Sequence, residues 1–215
     1  MDMELIQRLV QTEWELFQAT RNEGGRAPCQ DDYETFRVMR TGQAMGWSED
    51  MTASWLQDLV DAKAQGRNPV MEKYARMMAF TAPEEYRAME PLLPPLEADV
   101  MALARRLTDQ TVAWAEEAEQ QYPYVLASGR PIHASADTPT VTSLETYCYG
   151  ELLTCSYRTL SLFEAYYGEK DRKGENLYIE IQTYTAKLLG YASLAEAERT
   201  LYANTRSCCH QDPLS

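Results

Sequence analysis

The chain has 215 residues, 45% of them hydrophobic, and its 33 acidic residues against 20 basic ones give a formal net charge of −13. This composition supports one domain with a sizeable core and excludes wholesale disorder. The charge repels phosphate backbones and excludes general nucleic-acid binding.

The first segment places Leu5, Ile6, Leu9, Val10, Leu16 and Phe17 at helical spacing, and Gly24-Gly25 end it just beyond Arg21-Asn22. Asp31 with Glu34 reads as a capping box that opens a second helix to about Met45. Ser48 caps a third, which carries Met51, Trp55, Leu56 and Leu59 and stops at Gly66. Asn68-Pro69 is a cap with a first-turn proline for a fourth, with Tyr74, Met77 and Met78 inward. Thr81 and Glu84 repeat the capping-box pattern for a short fifth.

After Pro91, Pro94 and Pro95, a long helix aligns Leu96, Val100, Leu103, Leu107 and Trp114 on one stripe. The stretch from Tyr122 to Val141 carries Pro123, Gly129, Pro131 and Pro139 and is expected to be a long non-helical loop. Thr142 with Glu145 opens a helix that runs on to Tyr166. The last two helices span about Glu175 to Leu189 and Leu194 to Tyr202. No segment alternates as a strand does. The fold class predicted is all-α, a single-domain globular bundle of about eight helices over residues 1–205, with a flexible tail over 206–215.

No apolar run is long enough to cross a bilayer, so no membrane partner is expected. The start, MDMELIQRLV, has none of the features of a secretory signal, and a cytoplasmic location is expected. The five cysteines (Cys29, Cys148, Cys155, Cys208, Cys209) contain no CxxC pair and read as free thiols. With two histidines, His133 and His210, a conventional zinc or di-iron site is not expected. The chain has no Rossmann fingerprint and no Walker motif, so neither a metal nor an organic cofactor is expected.

The informative residues are polar ones at positions where the helical pattern wants apolar ones. Glu13 interrupts the stripe Ile6, Val10, Phe17, while Arg40 and Gln43 interrupt the stripe Tyr33, Phe36, Trp47. A buried lone charge is costly, so Glu13 and Arg40 are expected to meet. Two readings stand: a buried ion pair that fixes the register of two helices, or an Arg40 fork that grips a substrate carboxylate or phosphate with Glu13 orienting it.

The connection between these helices adds Asn22, Glu23, Arg26, Cys29 and Gln30. Cys29 lies near a helix N-terminus, where a thiolate is favoured, and is a candidate nucleophile, although no histidine neighbours it in sequence. In the later block Tyr147 is a candidate proton donor and Glu151 borders an apolar stripe. Gly150 in mid-helix signals close packing or ligand approach.

Three blocks, TEWELFQATRNEGGRAPCQDDYETFRVMR (Thr12 to Arg40), EKYARMM with TAPEEY (Glu72 to Tyr86) and SLETYCYGELLTCSYRTLSLF (Ser143 to Phe163), give the sequence a family likeness. With GENLY and LGYASLAEAE the likeness covers nearly the whole chain. It resembles the uncharacterised bacterial family DUF4125. The resemblance implies a shared helical fold and marks the polar blocks as candidates; it implies no reaction.

The function expected is that of an enzyme acting on a small, carboxylate-bearing, amino-acid-like metabolite, a lyase or transferase without an organic cofactor. Glu13, Glu23, Tyr147 and Glu151 are the catalytic candidates, and Asn22, Arg26, Gln30, Arg40 and Gln43 the substrate-binding ones. Glu13, Arg26, Arg40 and Glu151 are expected to converge on one pocket. The alternative is a helical ligand-sensing or protein-interaction module. The partners expected are a small molecule and, as an open alternative, a second copy of the chain in a homodimer.

Overall fold

A computed structural model describes residues 2–21 and 25–209. Helix α1 (Met3–Gln18) begins where the Asp2 carboxylate accepts the Glu4 and Leu5 N–H groups, and it buries Ile6, Leu9, Val10, Glu13, Leu16 and Phe17. A 3-10 turn at Pro28–Asp31 leads into α2 (Tyr33–Met45). The cap of α2 is Asp32, which accepts from Thr35 N, rather than the expected Asp31. Asp31 belongs to the turn and pairs with Arg26, and Glu34 pairs with Arg37 instead of closing a capping box.

Helices α3 (Glu49–Ala64) and α4 (Pro69–Thr81) carry the expected Ser48 and Asn68 caps. The short α5 (Pro83–Met89) starts from Ala82 without a side-chain cap, and the Thr81 hydroxyl turns back to the Met77 carbonyl of α4. The long α6 (Ala98–Gln121) follows.

The segment expected as a 20-residue loop contains α7 (Pro123–Ala127) and a 3-10 turn at Ala134–Ala136. It is tied to the start of α8 (Leu144–Leu152). Leu144 N donates to Pro131 O at 2.7 Å and Glu145 N to Ile132 O at 3.0 Å. The Asp137 carboxylate accepts from Ser143 N and the Thr146 hydroxyl, both at 2.5 Å. Ser143, not Thr142, caps α8, and Glu145 accepts from Ala134 N and Arg105.

The single helix expected from Thr142 to Tyr166 is two. The chain breaks after α8, and Ser156 caps α9 (Tyr157–Lys173). Thr154, Cys155 and Ser156 are weak helix formers, and the Thr154 and Ser156 hydroxyls bond locally, so this is where a continuous helix fails. Helices α10 (Leu177–Leu188) and α11 (Leu194–Cys209) complete the chain, α11 running past the expected end at Tyr202. Among the described residues there are eleven α-helices and no strand. Nine of these correspond to the segments delimited from the sequence, and the two further ones are α7 and, beyond the α8–α9 break, α9.

The core is built where α1 packs on α2, α3 and α4, α6 packs on α8, α9 and α10, and α3 meets α9. Leu9, Met51, Leu59, Leu103, Leu160 and Leu177 are its fully buried side chains. Two glycines permit closer helix approach. A Cβ on Gly42 of α2 would lie 3.1 Å from Thr185 Cα of α10. One on Gly150 of α8 would lie 2.8 Å from Met77 Cγ and 3.2 Å from the Lys73 carbonyl of α4. No described helix is long and apolar enough to cross a membrane.

Candidate functional site

Helices α1, α2, α4 and α8 each contribute one charged side chain to a buried chain of alternating sign. Arg40 Nε donates to Glu13 Oε2 at 2.7 Å, and its Nη2 donates to Glu13 Oε1. Arg40 Nη1 reaches Glu151 Oε2 at 3.1 Å and Gln43 Oε1 at 2.7 Å. Lys73 Nζ continues the chain, donating to Glu151 Oε2 at 3.0 Å and to the Tyr147 hydroxyl at 2.8 Å. Trp55 Nε1 serves Glu13 Oε1 at 2.8 Å, and Gln43 Nε2 serves Glu151 Oε1 at 3.3 Å.

These groups lie on their elements for simple reasons. Glu13 and Phe17 are one turn apart on the buried face of α1, and Arg40 and Gln43 are one turn apart on α2. Tyr147 and Glu151 are one turn apart on α8, with Gly150 letting that helix close on the backbone of Lys73.

Two cations and two carboxylates balance. Burial opposes the charged forms of Glu151, Arg40 and Lys73, and the pairing overcomes it. Burial would raise the Glu151 carboxyl, yet Arg40 and Lys73 hold it at about 2. Burial would lower the Arg40 guanidinium, and Glu13 and Glu151 bring it instead well above its ordinary value. For Lys73 burial is likewise outweighed, by Tyr147 and Glu151, and its ammonium is held above the usual lysine range.

The network forms the buried end of a cleft of about 240 Å³. Phe17, Phe36, Trp55 and Tyr74 supply its apolar walls, with Phe17 and Phe36 stacked at 5.5 Å between ring centroids. Its exposed mouth includes Cys29, Asp32 and Arg130. Arg130 donates to the Thr142 carbonyl at 3.0 Å, and its guanidinium lies 4.5 Å from the centre of the Tyr147 ring. Tyr147 accepts from Lys73, so its own hydroxyl hydrogen remains to be donated, and no acceptor for it lies among the described residues.

Of the four residues expected to converge, Glu13, Arg40 and Glu151 do, and Gln43 and Tyr147 join them. Arg26 does not. It is half exposed in the connection after α1, bound to Asp31 at 2.7 Å and to the Gln30 carbonyl at 2.7 Å. Gln30 also lies outside the cleft. Its amide donates to the Phe17 and Thr20 carbonyls and accepts from Ala27 N, which closes the C-terminal end of α1. Asn22 and Glu23 lie outside the described residues. Cys29 stands at the mouth without a histidine: His133 pairs with Glu116 at 3.2 Å. Burial pushes Cys148 up to about 12 and raises Cys155 as well, so neither is an activated thiol.

Sequence reasoning missed Lys73, Trp55 as a partner of Glu13, and Arg130. Lys73 had a legible signal, because Pro69, Lys73 and Met77 form an i, i+4, i+8 stripe on the buried face of α4. Arg130 had none, since its segment lacks periodicity. Among the described residues no three His, Cys, Asp or Glu side chains gather as a metal-binding group.

Over residues 3–199 the chain matches the family model described as "Protein of unknown function (DUF4125)", and it belongs to that family. Among curated proteins and among solved structures, nothing matches it.

Proposed function

We propose that this member of the DUF4125 family is an enzyme that acts on a small carboxylate-bearing metabolite held in the α1–α2–α4–α8 cleft, by lyase or transferase chemistry. The observation that supports this is the Lys73–Tyr147 pair. A buried ammonium and a phenol with an uncommitted hydrogen meet at the polar end of an otherwise apolar cleft. In this reading Lys73 grips the carboxylate, Tyr147 delivers a proton to the reacting atom, and Glu151 holds Lys73 in place and charged. Glu13 has no part in proton transfer, because Arg40 and Trp55 occupy both its oxygens. Arg40 is the keystone of the network and is too fully engaged to grip a ligand with its fork.

A second reading has one observation in its favour. Glu13 and Glu151 each already accept from two or more side chains, so the cleft offers no free base, which suits a ligand-sensing module. One experiment separates the two. The wild-type chain and Tyr147→Phe are incubated with a bacterial metabolite extract, and depletion of carboxylates is followed by mass spectrometry. The enzyme reading expects wild-type turnover and a loss of roughly 10²–10⁴-fold in Tyr147→Phe. Retention of carboxylates without turnover establishes the sensing module. Equal turnover by both chains removes Tyr147 from the mechanism.

A further inference from the structure

We infer that the ligand of this cleft is an amphipathic monocarboxylate with a ring-sized apolar body and no α-ammonium group. This rests on the proposed reading of the cleft as a carboxylate site and replaces the amino-acid-like class expected from the sequence.

The size comes first. A cavity of about 150 Å³ holds a benzene ring. The cleft, at about 240 Å³, holds a ring with a short acid chain. Its walls at Phe17, Phe36, Trp55 and Tyr74 offer aromatic faces and edges to such a ring and few polar atoms.

The polar groups set the charge. Of the cleft's cations, Arg40 is bound to Glu13 and Glu151, and Lys73 to Glu151. Among the described residues Arg130 has no carboxylate partner, only the Thr142 carbonyl and the Tyr147 ring. Lys73 has three N–H donors and uses two on Tyr147 and Glu151. What the cleft leaves uncommitted is therefore donors: one N–H on Lys73, the Tyr147 hydroxyl hydrogen, and the Arg130 N–H groups other than the one given to Thr142. Three donor groups around one apolar chamber recognise an anion.

The acceptors exclude the ammonium. Glu151 Oε1 accepts from Arg40 and Gln43, and Oε2 from Arg40 and Lys73. Glu13 Oε1 accepts from Arg40 and Trp55, and Oε2 from Arg40. The remaining carboxylate, Asp32, is at the exposed mouth and caps α2. An α-ammonium carried to the buried end with the carboxylate meets Lys73 and Arg40, with at most one spare carboxylate lone pair to neutralise it. Desolvation of a cation under those conditions is strongly unfavourable.

The test uses the full chain and three probes matched in shape: hydrocinnamate, its neutral amide hydrocinnamamide, and phenylalanine. Binding is read by tryptophan fluorescence, to which Trp55 in the cleft wall contributes, and by calorimetry. Hydrocinnamate is expected to bind, with the amide and phenylalanine each weaker by about ten-fold or more. Arg130→Gln, at an exposed position that leaves the core intact, is expected to weaken hydrocinnamate by about two- to five-fold and to leave the amide unchanged. Phenylalanine or the amide binding as tightly as hydrocinnamate overturns the inference, as does failure of hydrocinnamate to bind at millimolar concentration. Those failures leave the proposed function standing wherever the extract assay shows turnover of another carboxylate. Absence of turnover with selective hydrocinnamate binding has the opposite meaning: the ligand class holds and the enzyme reading falls.

Discussion

Arg40→Met removes the one side chain that touches both buried carboxylates of the cleft. Its effects on the two are unequal. Glu151 keeps Lys73 at 3.0 Å and Gln43 at 3.3 Å. Glu13, 3% exposed, keeps only the Trp55 indole at 2.8 Å. Removing one partner of a buried ion pair costs about 3–5 kcal/mol, because the surviving charge stays desolvated. Against a total stability of roughly 5–15 kcal/mol for a protein domain, that is a large fraction. The loss is expected to fall on Glu13, so Glu13→Gln in the Arg40→Met background, which keeps an oxygen for Trp55, recovers at least about half of it. Urea denaturation of the wild-type, Arg40→Met and doubly substituted chains measures this. A loss below about 1 kcal/mol for Arg40→Met, or no recovery in the double variant, refutes the view that the network is a mutually dependent unit.

Acid weakens the wild-type chain. Glu151 is held at about 2 against an ordinary 4.5, so its contribution is complete above about 4.5 and is lost as pH falls through about 2. The gap corresponds to about 3 kcal/mol, and Glu151→Gln is expected to flatten that part of the pH–stability curve. Gly42→Ala is expected to destabilise by at least about 1 kcal/mol despite alanine's better helix propensity. Its methyl would stand 3.1 Å from Thr185 Cα, a backbone atom that cannot step aside, and an unchanged melting temperature would disprove the tight α2–α10 contact. Iodoacetamide with peptide mapping is expected to label Cys29 in the folded chain and to label Cys148 and Cys155 only after unfolding. Early labelling of Cys155 would show that α8 and α9 open locally.

The helices were legible because their apolar residues recur at helical spacing, and their boundaries were less so. At Asp31-Asp32 and Thr142-Ser143 two adjacent residues can each cap, and only the path of the incoming chain decides which one does. The helix read across residues 153–156 was continuous in its apolar pattern. The break there depends on local hydroxyl bonds that no periodicity reveals. Within the cleft, Glu13, Arg40 and Gln43 stood out as polar residues interrupting apolar stripes, and Glu151 as one bordering a stripe. The Pro69–Lys73–Met77 stripe was legible but passed over, because Tyr74 beside Lys73 offered a more conventional inward residue. Arg26 looked like a member of the cluster from its place in the chain. The turn at Pro28–Asp31 gives it nearer partners, and a flexible cation takes the nearest carboxylate.

The bonds that tie residues 131–143 to the first turn of α8 have a consequence for how the cleft is entered. Arg130 precedes a segment fastened to the same helix that carries Tyr147 and Glu151. A ligand arriving at the mouth meets an arginine whose backbone is already ordered, and the entropy of fixing that segment is met when the chain folds rather than when the ligand binds. Across the cleft α8 is joined to α2 by the bonds of Glu151 with Arg40 and Gln43.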